Sequence, residues 1–154
     1  MNLPINEQTV LITGAGRGLG SAISKSFHRE GAKVIINYRK SYESATRLCN
    51  SLGDNAILIK GDIRNKEEVI QMNKELSDQK IIIDTIVHNA INDYKFNGEQ
   101  RKKIDDIDWL DFQNQIETSQ KGFLNLLNTF TPSMKKRNFG RFITVGTNLF
   151  QNPV

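Results

Sequence analysis

The sequence predicts a doubly wound parallel α/β sheet in three layers, helices on both faces. Three observations predict it. Short apolar runs without polar alternation recur along the chain, as expected of strands covered on both faces. Segments with helical spacing separate them, and glycine or asparagine stands at the joints. Taken in order, Thr9 to Thr13 is a compact β-branched run. Leu19, Ala22, Ile23 and Phe27 follow at helical spacing, and Gly31 supplies a stop. Val34 to Ile36 is the second strand. A helix from about Ser41 places Tyr42, Ala45, Leu48, Cys49 and Leu52 on one face, with Gly53 beyond its end.

Ala56 to Ile59 is the third strand. Asn65 and Glu68 form a capping-box pattern for a helix whose Val69, Met72 and Leu76 face inward. Ile81 to Val87 holds the fourth strand. A long helical pattern runs through Trp109, Phe112, Ile116, Phe123, Leu126, Leu127 and Phe130, with a bend expected near Pro132. Phe142 to Val145 is the fifth strand.

With 154 residues, the chain has room for one core and not for two domains. Hydrophobic residues at 38% and charged residues at 25% exclude a disordered chain. A net charge of +4, scattered along the sequence, gives no nucleic-acid signature. Cys49 alone excludes a disulfide framework. The apolar runs are too short to span a membrane, and Met1 to Thr9 has no signal-peptide core. These features read as cytoplasmic, soluble and single-domain. Among the aromatic residues only Phe27, Tyr38 and Tyr42 precede residue 94, so the first part is aliphatic and the second is built around rings.

Between the first strand and first helix lies Thr13-Gly14-Ala15-Gly16-Arg17-Gly18-Leu19-Gly20. Glycines are needed where a chain turns sharply and lets its backbone approach a pyrophosphate at a helix N-terminus. A merely flexible turn is the alternative, and four glycines at this joint weigh against it. The common Gly-x-Gly-x-x-Gly fails, because Leu19 or Ser21 stands where its third glycine would be. A Walker loop fails because the loop contains no Gly-Lys pair. The spacing that remains is Thr-Gly-x-x-x-Gly-x-Gly, met by Thr13, Gly14, Gly18 and Gly20.

On these residues the chain resembles the short-chain dehydrogenase/reductase family, a Rossmann-like fold. Further landmarks follow in order: Asp62-Ile63, Asn89-Ala90, and Gly140-Arg141-Phe142-Ile143. Asn37-Tyr38 and the Met134 to Arg137 approach to Gly140 are most similar to beta-ketoacyl-(acyl-carrier-protein) reductases. The resemblance implies a nicotinamide dinucleotide held by Gly14, Arg17, Gly18, Leu19 and Gly20, with Asp62 and Ile63 at the adenine and Asn89 and Ala90 beside the cofactor. An acidic residue after the second strand would hold ribose hydroxyls and repel a 2′-phosphate. Tyr38 and Arg39 stand there, and Arg17 lies in the loop, so NADP(H) is the expected cofactor. Solvated surface arginines are the other reading, and for Asp62 a cap of the following turn. His88 and Ile91 replace the Asn and Gly that flank Asn-Ala in the family. His88 reads as a packed or adenine-adjacent residue, and no metal site is expected.

For the chemistry, the resemblance implies ketone reduction with a tyrosine acid, a lysine four residues later, a carbonyl-binding hydroxyl and a helix asparagine. Thr147 aligns with the hydroxyl and Ser119 with the asparagine; a polar strand end and an ordinary helix serine are their alternatives. Tyr38, Tyr42 and Tyr94 are followed four residues on by Tyr42, Thr46 and Gly98, so none heads a Tyr-x-x-x-Lys. Family spacing puts that motif about a dozen residues beyond Thr147. The chain therefore reads as an N-terminal portion, incomplete in its last strands and helices and inactive alone, whose full-length form is an oligomeric 3-oxoacyl-(acyl-carrier-protein) reductase of fatty acid biosynthesis. A non-catalytic dinucleotide-binding protein is the alternative. Lys135, Lys136 and Arg137 would meet an acidic carrier protein in that family, or simply complement a helix dipole. The polar stretch from Asn92 to Asp108, with Arg101-Lys102-Lys103, is either a substrate-entry loop or a solvated one.

Overall fold

The structure is a computed structural model, described over residues 3–92 and 102–146. Five strands form one parallel sheet: β1 (Thr9–Ile12), β2 (Lys33–Tyr38), β3 (Ala56–Lys60), β4 (Thr85–His88) and β5 (Arg141–Thr144). Their spatial order is β3-β2-β1-β4-β5, so the winding reverses between β1 and β4. The helices are α1 (Gly18–Arg29), α2 (Tyr42–Leu52), α3 (Lys66–Asp78), α4 (Trp109–Ile116) and α5 (Gly122–Lys136). No described helix is long and apolar enough to cross a membrane.

Because side chains alternate along a strand, each central strand feeds two cores. Leu11, Ile35 and Ile86 join Val69, Met72 and Leu76 of α3 and Leu126, Phe130 and Met134 of α5 on one face. Val10, Ile12, Val34, Ile36 and Val87 pack with Ala45 and Leu48 of α2 on the other, where Ile23 and Phe27 of α1 are partly buried. This is the three-layer arrangement the unalternated runs predict.

The structure departs from the sequence expectation at four elements. The fourth strand begins at Thr85 rather than Ile81. Lys80, at φ 58°, closes the end of α3, and the Ile81 N–H donates to the Leu76 carbonyl, so Ile81 to Asp84 form a lead-in whose Ile83 is buried outside the ladder. Leu19 and Tyr42, expected on inward faces, are both 58% exposed, and Ala22 is exposed as well. Their helices bury narrower stripes than the spacing suggests.

The long helical pattern is divided by a π-helical turn at Glu117–Lys121. Counted back from Leu126, Phe130 and Met134 at 3.6 residues per turn, an uninterrupted helix would carry the buried stripe through Ile116, Phe112 and Trp109. The wide turn re-phases it, so Thr118 is buried while Trp109, Phe112 and Ile116 are exposed. Pro132 lies within α5, which continues to Lys136, so the irregularity falls earlier than expected.

Candidate nucleotide-binding site

The winding reversal opens a crevice at the carboxyl ends of β1 and β4, where open α/β sheets hold ligands. Thr13, the residue immediately after β1, is fully buried. Its hydroxyl oxygen accepts from the backbone N–H groups of Asn89 (3.1 Å) and Ala90 (3.0 Å). The Asn89 amide nitrogen in turn donates to the carbonyls of Thr13 (3.1 Å) and Gly14 (3.3 Å). Thr13 and Asn89 thus lace the two strand ends together across the reversal.

The glycine loop is shaped by close approach. Gly14 has φ +63°, and a Cβ there would sit 3.0 Å from the Ala90 Cα. A Cβ on Gly20 would lie 2.4 Å from the Gly14 carbonyl oxygen and 2.6 Å from the Asn89 amide nitrogen. Gly20 therefore lets α1 begin directly against the loop and its brace. Gly18 has φ +54° but faces open space, so its glycine serves the turn. Arg17, in extended conformation, is the N-cap residue of α1; it and Leu19 are exposed at the rim. Buried loop backbone, a helix N-terminus and an open side together fit a pyrophosphate-sized anion.

At the ends of β2 and β3 the charged residues gather. Tyr38 is buried, and its ring lies 5.7 Å from that of Tyr42. Arg39 follows, with Nη1 3.5 Å from Asp62 Oδ2. Asp62 is gripped much more closely by Arg64. Nη2 donates to Oδ2 at 2.6 Å, and Nε and the backbone N–H of Arg64 each donate to Oδ1 at 3.0 Å. Partial burial pushes the Asp62 carboxyl up, but the hydrogen bonds from Arg64, with Arg39 behind them, outweigh it and hold the carboxyl below its ordinary range. The bond from the Arg64 N–H also makes Asp62 the cap of its own turn. Glu68 accepts from the Asp62 backbone N–H at 2.8 Å instead of closing a capping box on Asn65. Ile63 is buried against Gly122, where a Cβ would lie 2.7 Å from its Cδ1, and its carbonyl accepts from Asn125 Nδ2 at 2.9 Å.

Further along the crevice, His88 ends β4 almost fully buried. Its Nε2 donates to the Ser119 carbonyl at 3.1 Å, and its ring lies 5.6 Å from that of Phe123. Burial pushes this imidazole below its ordinary pKa, the hydrogen bond acting weakly the other way. The Ser119 hydroxyl donates back along its own helix to the Gln115 carbonyl at 2.7 Å. Thr147 and Arg101 lie outside the described residues.

The structure thus brings Gly14, Gly20, Asn89 and Ala90 into one constellation and Arg39, Asp62 and Ile63 into a second, with Arg17, Gly18 and Leu19 at the rim. Lys135 and Lys136 are exposed at the end of α5, on the opposite side of the sheet ends. Arg137 is instead engaged there, donating to Asp84 Oδ1 at 2.6 Å and to the Ile83 carbonyl at 2.8 Å. Sequence reasoning missed Arg64 and Asn125. Arg64 stands two residues from Asp62, a spacing that suits a local Asx turn and is a usable signal; nothing in the sequence pairs Asn125 with Ile63.

A model of the short chain dehydrogenase family matches residues 8–154. The chain is 33% identical over 138 residues to the NADP-dependent 3-hydroxy acid dehydrogenase YdfG of Escherichia coli, a match covering 90% of this chain and 53% of the relative. It is 31% identical over 150 residues to the NADPH-dependent pterin aldehyde reductase of Arabidopsis thaliana, covering 95% and 59%. Among solved structures, a gluconate 5-dehydrogenase of Burkholderia cenocepacia in complex with NADP and tartrate matches with a TM-score of 0.76 at 26% identity, covering 89% of this chain and 52% of that one. The chain spans about half the length of the curated relatives it matches.

Proposed function

The chain belongs to the short-chain dehydrogenase family, and from that premise we propose that its crevice holds NADP(H) for an oxidoreductase acting on a carbonyl or its alcohol. One observation carries the cofactor reading: the glycine loop is locked against Asn89 while a guanidinium, Arg39, follows β2 where an acidic side chain would select NAD. NADP(H), when bound, supplies or accepts the hydride. The residues of this chain do the holding. The backbone N–H groups at the start of α1 face the pyrophosphate, and Arg39 and Arg17 meet the 2′-phosphate. Ile63 and Asp62 border the adenine, and Asn89 and Ala90 fix the loop in its binding shape.

The relatives named above support the NADP preference. Titrating the protein with NADPH and NADH by fluorescence tests it. NADPH is expected to bind at least tenfold tighter, a gap that Arg39→Ala narrows. Equal affinities, or tighter NADH, would overturn the reading.

For the substrate, we propose a ketone on the third carbon from a carboxyl or thioester, as in a 3-oxoacyl-(acyl-carrier-protein) reductase. A 3-hydroxy acid and a 3-oxoacyl thioester carry oxygen on the same carbon, which brings the YdfG similarity and the resemblance at Asn37-Tyr38 to one chemistry. In this reading Thr147 offers the carbonyl-binding hydroxyl, and Ser119 contributes a carbonyl oxygen already held by His88. Lys135 and Lys136 lie at the far end of the sheet from this crevice, where they complement the dipole of α5 rather than present a carrier-bound substrate to the site. NADPH oxidation with an acetoacetyl thioester, compared with a pterin aldehyde, separates this substrate from the other chemistry found among the relatives.

A further inference from the structure

The Asp62 carboxylate stands between two guanidiniums that treat it very differently. Arg64 takes both oxygens, with Nη2–Oδ2 at 2.6 Å and Nε–Oδ1 at 3.0 Å, while its backbone N–H takes Oδ1 as well. That is the forked grip that makes arginine–carboxylate pairs strong. Arg39 reaches the same carboxylate only at 3.5 Å, an ion pair too long to be a good hydrogen bond. All three side chains are partly shielded from solvent, at 29% exposed for Arg39, 17% for Asp62 and 27% for Arg64. The three side chains together carry one positive charge. Without Arg64, Asp62 and Arg39 would be a neutral pair, and the carboxylate would draw Arg39 into the bond that Arg64 now makes. The neighbouring carboxylates do not replace it. Glu68 is committed to the Asp62 backbone N–H, and Glu117 acts on Arg64.

Resting on the reading that Arg39 meets a 2′-phosphate, we propose that Arg64 is a positioning residue for cofactor selectivity: by occupying Asp62 it keeps the Arg39 guanidinium available to a phosphate dianion. Arg64 itself touches neither the phosphate nor the reacting atoms in this account. Asp62 is the competitor that it restrains. The selectivity is therefore set by a residue two positions beyond the adenine-side aspartate, as well as by the arginine after β2.

The test compares 2′,5′-ADP with 5′-AMP by titration calorimetry in the natural full-length protein, so that only the 2′-phosphate differs between ligands. The affinity ratio is the readout, because any change at the adenine affects both ligands alike. Wild type is expected to favour 2′,5′-ADP; if it does not, the 2′-phosphate reading itself fails. Arg64→Gln should shrink that preference about tenfold while leaving 5′-AMP affinity nearly unchanged. Adding Asp62→Asn to Arg64→Gln should restore it, since the competitor is then uncharged. Arg64→Lys, which keeps the charge and loses the fork, should fall between. A wild-type preference that survives Arg64→Gln overturns the inference. So does a loss that Asp62→Asn fails to reverse, which would mean that Arg64 contacts the phosphate directly.

Discussion

Thr13 shows how much of the crevice depends on one hydroxyl. Its oxygen accepts from two successive backbone N–H groups at the end of β4, and both would be left without that partner if it were removed. Thr13→Val is expected to destabilise the protein by about 1–3 kcal/mol and to weaken nucleotide binding, whereas Thr13→Ser retains most of both. Thermal unfolding and a nucleotide titration on the two variants check this. At this scale the sequence is informative where a residue type has few reasons to be present. Glycines at 14 and 20 and an asparagine at 89 are explained by the close approach of loop, helix and strand end. It is silent where a common residue makes an uncommon contact. Arg64 and Asn125 look like ordinary polar residues, because the partners that give them meaning lie on a carboxylate held by a turn or on a loop 62 residues away.

Elements were legible in proportion to the strength of their local signals. The strand runs and the start of α3 follow from residues adjacent in sequence, and Asn65 does cap α3 by accepting from the Glu67 and Glu68 N–H groups at 2.9 and 3.3 Å. Asn65→Ala should cost about 1 kcal/mol, and Asn65→Asp little, measured by denaturant unfolding. The beginning of β4 was not legible, because Ile81 to Ile83 read as a strand by composition while the left-handed Lys80 and the bond from the Ile81 N–H to the Leu76 carbonyl tie them to the end of α3. The faces of α4 were not legible either, since hydrophobic periodicity assumes an unbroken 3.6-residue turn.

Over the whole molecule, the two ends of the sheet are secured separately. The carboxyl ends of β1 and β4 are laced by Thr13 and Asn89. At the amino ends Asp84, only 9% exposed at its side chain, accepts from the Thr9 N–H at 2.9 Å and from Arg137, and its carbonyl accepts from the Arg141 N–H. One residue thus joins β1, the entry to β4, the end of α5 and β5. Arg137→Ala leaves that carboxylate without its guanidinium, and a loss of about 1–3 kcal/mol is expected, reduced from the fully buried case because Arg137 is part exposed. Nucleotide affinity should not change, because the clasp lies at the far end of the sheet. Melting curves and a parallel NADPH titration would show both effects, and a shared loss would mean that the two ends are coupled.

The wide turn at Glu117–Lys121 also has a meaning for chain length. A π-helical turn corresponds to a single residue inserted into an α-helix, and each residue advances a helix by about 100°. Relatives one residue shorter between positions 116 and 122 should therefore align with a gap there. Their hydrophobic residues before the gap should point inward, where Trp109, Phe112 and Ile116 of this chain point outward. Which side of α4 meets the solvent is, on this account, an inheritance of one codon.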